Sequence, residues 1–294
     1  MPILVMRGGG VGDFILTLPA LAALRGRFPG DAVEILGCPP IAALAVAGGL
    51  ARRVRAIESR ALTGFFAREG TWTKEAAEYF AGFELIISYL HDPEGIFQSN
   101  VSRCTGARFM AGPHRPDEAL KEHAAVTLLR PLEALGIRGF EARPRLELPG
   151  APERLAGRWL ALHPGSGSAR KNWPEAKWAT LLGLLAGGTD WNFLLIGGEA
   201  EGTRCRRLAA RLPRARVDLA ENLPLVELAQ KMRSCAAYIG HDSGITHLAA
   251  ALDLPGLVLW GPTDETTWRP ASEKLRLIPI NCTGRKAAGY FRAS

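Results

Sequence analysis

Short apolar runs alternate with helix-spaced segments along almost the whole chain. The runs are Ile3–Met6, Val33–Leu36, Leu85–Ser88, Trp159–His163, Phe193–Ile196, Ala237–Gly240 and Gly256–Trp260. Between or after them lie helical patterns at Phe14–Phe28, Leu120–Leu135, Pro174–Leu185, Glu199–Leu212, Leu225–Arg233 and Ile245–Leu252. A chain that passes through a helix before each new strand pairs its strands in parallel, by right-handed crossovers. The rhythm breaks once, over Gly139–Leu155, where Pro144, Pro149, Gly150 and Pro152 crowd together and read as a linker.

The 294 residues therefore divide into two α/β halves, 1–145 and 146–294, each long enough for its own core. The expected architecture is two Rossmann-like domains facing across a cleft. Ligands of such sheets bind outside the carboxyl ends of the strands, so the strand-to-helix turns are where chemistry is sought. Apolar residues at 47% and charged residues at 22% exclude a disordered, collagenous or coiled-coil chain. The longest uncharged run, Ile35–Ala51, holds Pro39, Pro40, Gly48 and Gly49 and cannot be one spanning helix. The apolar start lacks a basic region and is interrupted by Asp13, so it does not read as a secretory signal. Five scattered cysteines without a CxxC pair indicate reduced thiols and a cytoplasmic setting, with no zinc or other metal site expected. Of the net charge of +7, +6 lies beyond Gly150, with 19 of the 36 basic and 13 of the 29 acidic side chains. That excess either favours an anionic ligand, nucleic acid or membrane surface, or serves solubility alone.

Four turns carry chemical signals. Arg7-Gly-Gly-Gly-Val-Gly-Asp13 follows the first strand, but it is neither a Walker loop nor a dinucleotide fingerprint. Asp13 reads either as a helix N-cap or as a carboxylate able to act as a general base. His163-Pro-Gly-Ser-Gly-Ser-Ala-Arg-Lys-Asn-Trp-Pro174 gathers Ser166, Gly167, Ser168, Arg170 and Lys171 at a strand end. This is the composition of a phosphate cradle, and Pro174 suits the first position of the helix that follows. In Ile196-Gly-Gly-Glu-Ala-Glu201, Glu199 and Glu201 either bond a ribose diol or simply favour a helix N-terminus. His241-Asp-Ser-Gly-Ile-Thr-His247 invites a hydrolase reading, but Ser243 lacks the Gly-x-Ser-x-Gly elbow. A helix start able to grip phosphate, with His247 on its first turn, fits better; otherwise His247 is a core histidine.

These motifs in this order resemble glycosyltransferase family 9, the ADP-heptose:lipopolysaccharide heptosyltransferases. The likeness rests on Gly12-Asp13 followed by Leu18-Pro-Ala-Leu21, His163-Pro-Gly-Ser166, Lys171-Asn-Trp-Pro174 and Gly197-Gly198. It rests further on Asp242-Ser-Gly244 with His247-Leu-Ala-Ala250, and on Gly261-Pro-Thr-Asp264. The resemblance implies a GT-B fold, with an N-terminal acceptor domain carrying the base and a C-terminal nucleotide-sugar donor domain. It implies an inverting, metal-independent transfer of heptose or a related sugar from an ADP-sugar to a lipopolysaccharide core or similar glycan. No cofactor is then expected, the ADP-sugar being a substrate. Asp13 becomes the base, and Ser166, Gly167, Lys171, Ser243 and Gly244 the donor-phosphate residues. Glu201, then Glu199, falls on the acid that contacts the donor, while Asp242 and His247 fall in the sugar pocket.

Arg52, Arg53, Arg55 and Arg60 either meet an anionic glycolipid acceptor or form a solvated arginine face. Nucleic acid is not expected as a partner, and contact with the inner face of the cytoplasmic membrane is expected to be peripheral. The chain departs from the family at Gly10, where a serine is common. The segment Asn281–Ser294 also looks too short for the long closing helix of a GT-B protein. A nucleotide-sugar 2-epimerase-like enzyme and a non-catalytic nucleotide-sugar-binding protein are the competing readings.

Overall fold

The computed structural model describes residues 1–153 and 155–292. The chain forms two compact units, Met1–Leu148 and Pro149–Ser294. Their boundary falls within the expected linker Gly139–Leu155, of which position 154 lies outside the described residues.

In the first unit, β1 (Ile3–Arg7), β2 (Val33–Gly37), β3 (Arg53–Ala56), β4 (Leu85–Ser88) and β5 (Arg108–Ala111) form one sheet in the order β3-β2-β1-β4-β5. Every pairing is parallel. β1 is buried at all five positions, as an apolar central strand covered on both faces must be. One face packs Leu4, Met6, Leu36 and Ile86 against Phe65, Phe80 and Phe97. Phe65 stacks on Trp72 at 4.4 Å between centroids and meets Phe80 edge-on at 4.7 Å, the offset geometries that aromatic quadrupoles favour.

The second unit holds β6 (Trp159–His163), β7 (Asn192–Gly197), β8 (Val217–Glu221), β9 (Ala237–His241), β10 (Gly256–Trp260) and β11 (Leu275–Pro279). All pair in parallel, in the order β11-β10-β9-β6-β7-β8, which is the doubly wound dinucleotide-fold order. Its core joins Leu160, Leu162, Phe193 and Ile239 to the fully buried Trp173 and Trp178. A short helix, Gly284–Arg292, follows β11 and places Ala287 and Ala288 in that core.

Four expected helices differ. The segment Phe14–Phe28 is two helices, Val11–Ile15 and Leu18–Arg27. Pro19 has no N–H to offer the Ile15 carbonyl, so the first helix cannot run through it. The segment Leu120–Leu135 breaks into a 3-10 turn (Glu118–Leu120), a helix (Ala124–Leu129) and a second 3-10 segment (Arg130–Leu135). Pro131 ends the regular ladder there, and Lys121 stands at φ +50°. The segment Glu199–Leu212 is helical only over Arg204–Ala209, because Glu201 turns back onto Gly198 and Gly202 takes φ +50°. Pro174 precedes the helix Glu175–Gly188 as its cap residue rather than opening it. Among the described residues, no helix is long and apolar enough to cross a membrane.

Candidate functional site

Each sheet has one point where strand order reverses, between β1 and β4 in the first unit and between β6 and β9 in the second. There the helices on the two faces diverge and leave a crevice at the carboxyl ends. Asp13 follows β1, the Ser166–Lys171 loop follows β6, and the Asp242–Gly244 turn follows β9.

In the first unit, Asp13 lies in the first turn of Val11–Ile15, not at its cap, which is Gly10. Its Oδ2 accepts the Gly10 N–H at 2.9 Å, so the carboxylate does serve the helix start, from inside it. Gly9 makes this possible twice over. It stands at φ +91°, and a Cβ there would lie 2.7 Å from Asp13 Oδ2. The Asp13 side chain keeps 32% of its surface exposed.

Beside it lies Arg7, only 4% exposed, whose Nη2 is 3.6 Å from Asp13 Oδ1. Sequence reading passed over this residue, because a basic side chain at a strand end ordinarily reaches water. It also missed a histidine pair. His91 follows β4 and His114 follows β5, with Nδ1 atoms 3.4 Å apart. Partial burial and the positive charge of His91, Arg115 and Arg7 hold His114 below the usual histidine range.

The four arginines expected at an acceptor do not share one face. Arg52 and Arg53 stand at the amino end of β3, where the Arg52 N–H bonds Val33 O, at the sheet edge opposite Asp13. Arg53 Nε donates to the buried Glu34 Oε2 at 2.5 Å, and Tyr79 Oη donates to Glu34 Oε1 at 2.8 Å. The Arg55 guanidinium lies 4.1 Å from the centroid of the Tyr79 ring. The Arg53 side chain is accounted for by neutralising Glu34 and that of Arg55 by covering Tyr79; Arg60 alone follows the carboxyl end of β3 and is exposed.

In the second unit, four loops converge at the carboxyl edge. Lys171 Nζ pairs with Asp242 Oδ2 at 2.7 Å, and Thr263 Oγ1, after β10, donates to the same oxygen at 2.5 Å. His163 Nδ1 lies 3.2 Å from Ser243 Oγ, which also accepts the Thr246 N–H as the cap of helix Gly244–Ala251. Glu201 Oε2 accepts the Gly198 N–H at 2.7 Å, and its Oε1 is 3.9 Å from His163 Nε2. A Cβ on Gly165 would come within 1.8 Å of Glu201 Oε1, so that glycine makes room for the carboxylate. Glu201 thus joins the cluster while Glu199 is exposed on the turn.

Ser166 Oγ is engaged inside its own loop, 2.7 Å from Asn172 Oδ1 and accepting the Ser168 N–H. Gly167 takes φ +69° beside it. What Ser166 and Gly167 offer a ligand is accordingly their backbone. His247 is buried on the first turn of Gly244–Ala251. Among the described residues, no three His, Cys, Asp or Glu side chains gather as metal ligands.

Two buried histidines brace the loops, and neither was assigned a role from sequence. His241 Nε2 accepts the Trp173 N–H at 2.9 Å, so its proton sits on Nδ1, facing Gly165 O at 3.3 Å. Burial lowers the pKa of His163 to about 4 and of His241 to about 3. Both fold as neutral rings, so their stabilising effect is complete above the unfolded value near 6.5 and is lost as pH falls towards 4 and 3. Each should cost about 1.4 kcal/mol per pH unit in that window. The expected result is a thermal midpoint that drops steeply between pH 6.5 and 4.5, with a shallower drop in His241→Gln. An equal slope in that variant would show that other groups govern acid unfolding.

A model of glycosyltransferase family 9 (heptosyltransferase) matches residues 141–287. Lipopolysaccharide heptosyltransferase 1 of Pseudomonas aeruginosa is 29% identical over 300 residues, covering 90% of this chain and 79% of that protein. Lipopolysaccharide heptosyltransferase 1 of Salmonella typhimurium is 39% identical over 95 residues, covering 32% of this chain and 29% of that protein. The solved structure of E. coli heptosyltransferase WaaC with ADP-2-deoxy-2-fluoro heptose superposes with a TM-score of 0.76 at 21% identity. That match covers 99% of this chain and 98% of the other, and shows a shared fold.

Proposed function

The chain belongs to glycosyltransferase family 9, and we propose that it transfers heptose, or a closely related sugar, from an ADP-sugar to a lipopolysaccharide core acceptor with inversion at the anomeric carbon. One observation carries the reading. Lys171, Ser243, Glu201 and the Gly165–Ser168 backbone meet at the strand-order reversal of a dinucleotide-type sheet, with Lys171 as the cation for a diphosphate. The likeness to proteins whose names specify lipopolysaccharide heptosyl transfer, and to a structure holding an ADP-heptose analogue, supports heptose as the sugar.

In this mechanism the Asp13 carboxylate takes the proton from the acceptor hydroxyl. The acceptor oxygen forms its bond to the anomeric carbon as the bond to the β-phosphate oxygen breaks. A single displacement inverts the centre and leaves ADP. Negative charge grows on the departing diphosphate, and donors already aimed at it lower the barrier without reorganising. Lys171, the loop amides around Gly167 and the amino end of Gly244–Ala251 are those donors. Glu201 is assigned to the nucleoside, Asp242 and His247 to the sugar. The diphosphate charge is assigned to these groups, and the proposed mechanism includes no metal or other cofactor.

The acceptor is taken to be an anionic glycolipid reached peripherally from the cytoplasmic side. Attraction between a +7 chain and such a surface fades as salt shortens the Debye length to about 3 Å at 1 M. Purified protein incubated with a panel of nucleotide sugars, heptose-free lipopolysaccharide and EDTA tests the reading. ADP release dependent on both ADP-heptose and acceptor is the expected outcome. Donor binding without turnover would favour a binding protein, and sugar epimerisation without transfer would favour an epimerase.

A further inference from the structure

Arg7 is the last residue of the central strand β1, and its guanidinium is buried at the strand end that carries Asp13. Its Nε and Nη2 donate to the Asp13 carbonyl at 3.3 and 3.2 Å. Its Nη1 donates to the His114 carbonyl at 2.8 Å and reaches the Tyr89 carbonyl at 3.5 Å. Three backbone carbonyls from the turns after β1, β4 and β5 thus converge on one cation, which also faces Asp13 Oδ1.

Burial works against the charge of this group, and the Asp13 carboxylate works for it. A lysine in its place has one compact head and cannot span three carbonyls in a planar fork. Thr17 Oγ1 donates to the Asp13 carbonyl at 2.9 Å, so that carbonyl is held from two sides. The side chain beyond it is fixed at Oδ2 by Gly10.

We infer that Arg7 is a positioning residue for transfer: it locks the Asp13 backbone and carboxylate to the loops after β4 and β5, so that base and acceptor-edge loops hold one geometry. The inference rests on Asp13 being the base. Misplacing a reacting group by about 1 Å costs on the order of 10²-fold in rate. A residue that acts only through another contributes nothing once that other is removed.

The test is a double-mutant cycle of Arg7→Gln and Asp13→Asn, with kcat measured on ADP-heptose and heptose-free lipopolysaccharide. ADP Kd by calorimetry and the thermal midpoint are measured alongside. Arg7→Gln is expected to lower kcat by about 10- to 100-fold with ADP Kd within about twofold, because ADP is assigned to the second unit. Added to Asp13→Asn, it is expected to lower kcat by less than about twofold more. Arg7→Lys should fall between parent and Arg7→Gln, and it decides the cycle if Arg7→Gln does not fold. Losses that multiply, or a kcat unchanged in both Arg7 variants while Asp13→Asn is inactive, would overturn the inference. An active Asp13→Asn would instead remove the base assignment beneath it.

Discussion

Asp13→Asn is expected to keep its fold and its affinity for ADP and to lose about 10²- to 10⁴-fold in transfer rate, the usual contribution of a general base. The geometry makes this substitution discriminating. Asn keeps an oxygen for the Gly10 N–H now bonded at 2.9 Å, so the helix start stays served. The pairing it gives up lies 3.6 Å from the buried Arg7, but that guanidinium keeps its backbone carbonyl acceptors at Asp13, Tyr89 and His114, so the fold is expected to survive. Stability and rate therefore separate. If the carboxylate matters only to the helix, both survive; if it is the base, only stability does. Steady-state kinetics with a thermal melt reads both, and a kcat within about threefold of the parent would return Asp13 to a capping role.

Lys171→Ala is expected to weaken ADP binding by roughly 10- to 150-fold, which is about 1.5–3 kcal/mol for a charged hydrogen bond. The loss has two sources. On the proposed reading the variant removes a cation from the diphosphate, and it leaves Asp242, whose side chain is 7% exposed, with its negative charge no longer offset by Lys171. Adding Asp242→Asn separates them. If Lys171 acts chiefly by neutralising Asp242, the double variant recovers ADP affinity; if it meets the diphosphate, affinity stays low. The second outcome is expected, and calorimetry of the three variants decides it.

The central strands were legible because they are apolar runs: β1, β2, β4, β6, β7, β9 and β10 each lie on a run read from sequence. The four strands not read, Arg53–Ala56, Arg108–Ala111, Val217–Glu221 and Leu275–Pro279, are the four sheet edges. An edge strand mixes charged and apolar residues because one side meets solvent, and β11 even ends in a proline that a central strand would not accept. The candidate donor turns were legible because small residues and a lysine cluster locally in sequence.

What sequence could not show is pairing at a distance. Lys171 and Asp242 are separated by about half of the second unit, as are His163 and Ser243, and only the order of β6 beside β9 brings them together. Arg7 was hidden for a different reason. Its burial depends on carbonyls from Tyr89 and His114, which carry no residue-type signal at all. The four arginines are close in sequence but run from the amino end of a short strand, at Arg52 and Arg53, through Arg55 within it to Arg60 beyond its carboxyl end, so only the fold shows that they are not one cluster.

The configuration of the product tests the central claim most directly. With ADP-heptose as donor and heptose-free lipopolysaccharide as acceptor, the anomeric coupling of the transferred sugar is read by NMR. A heptoside of configuration opposite to the donor, formed with one ADP per transfer, is the predicted result. A product that retains the donor configuration, or ADP released with free sugar and no glycoside, would contradict a single displacement driven by Asp13.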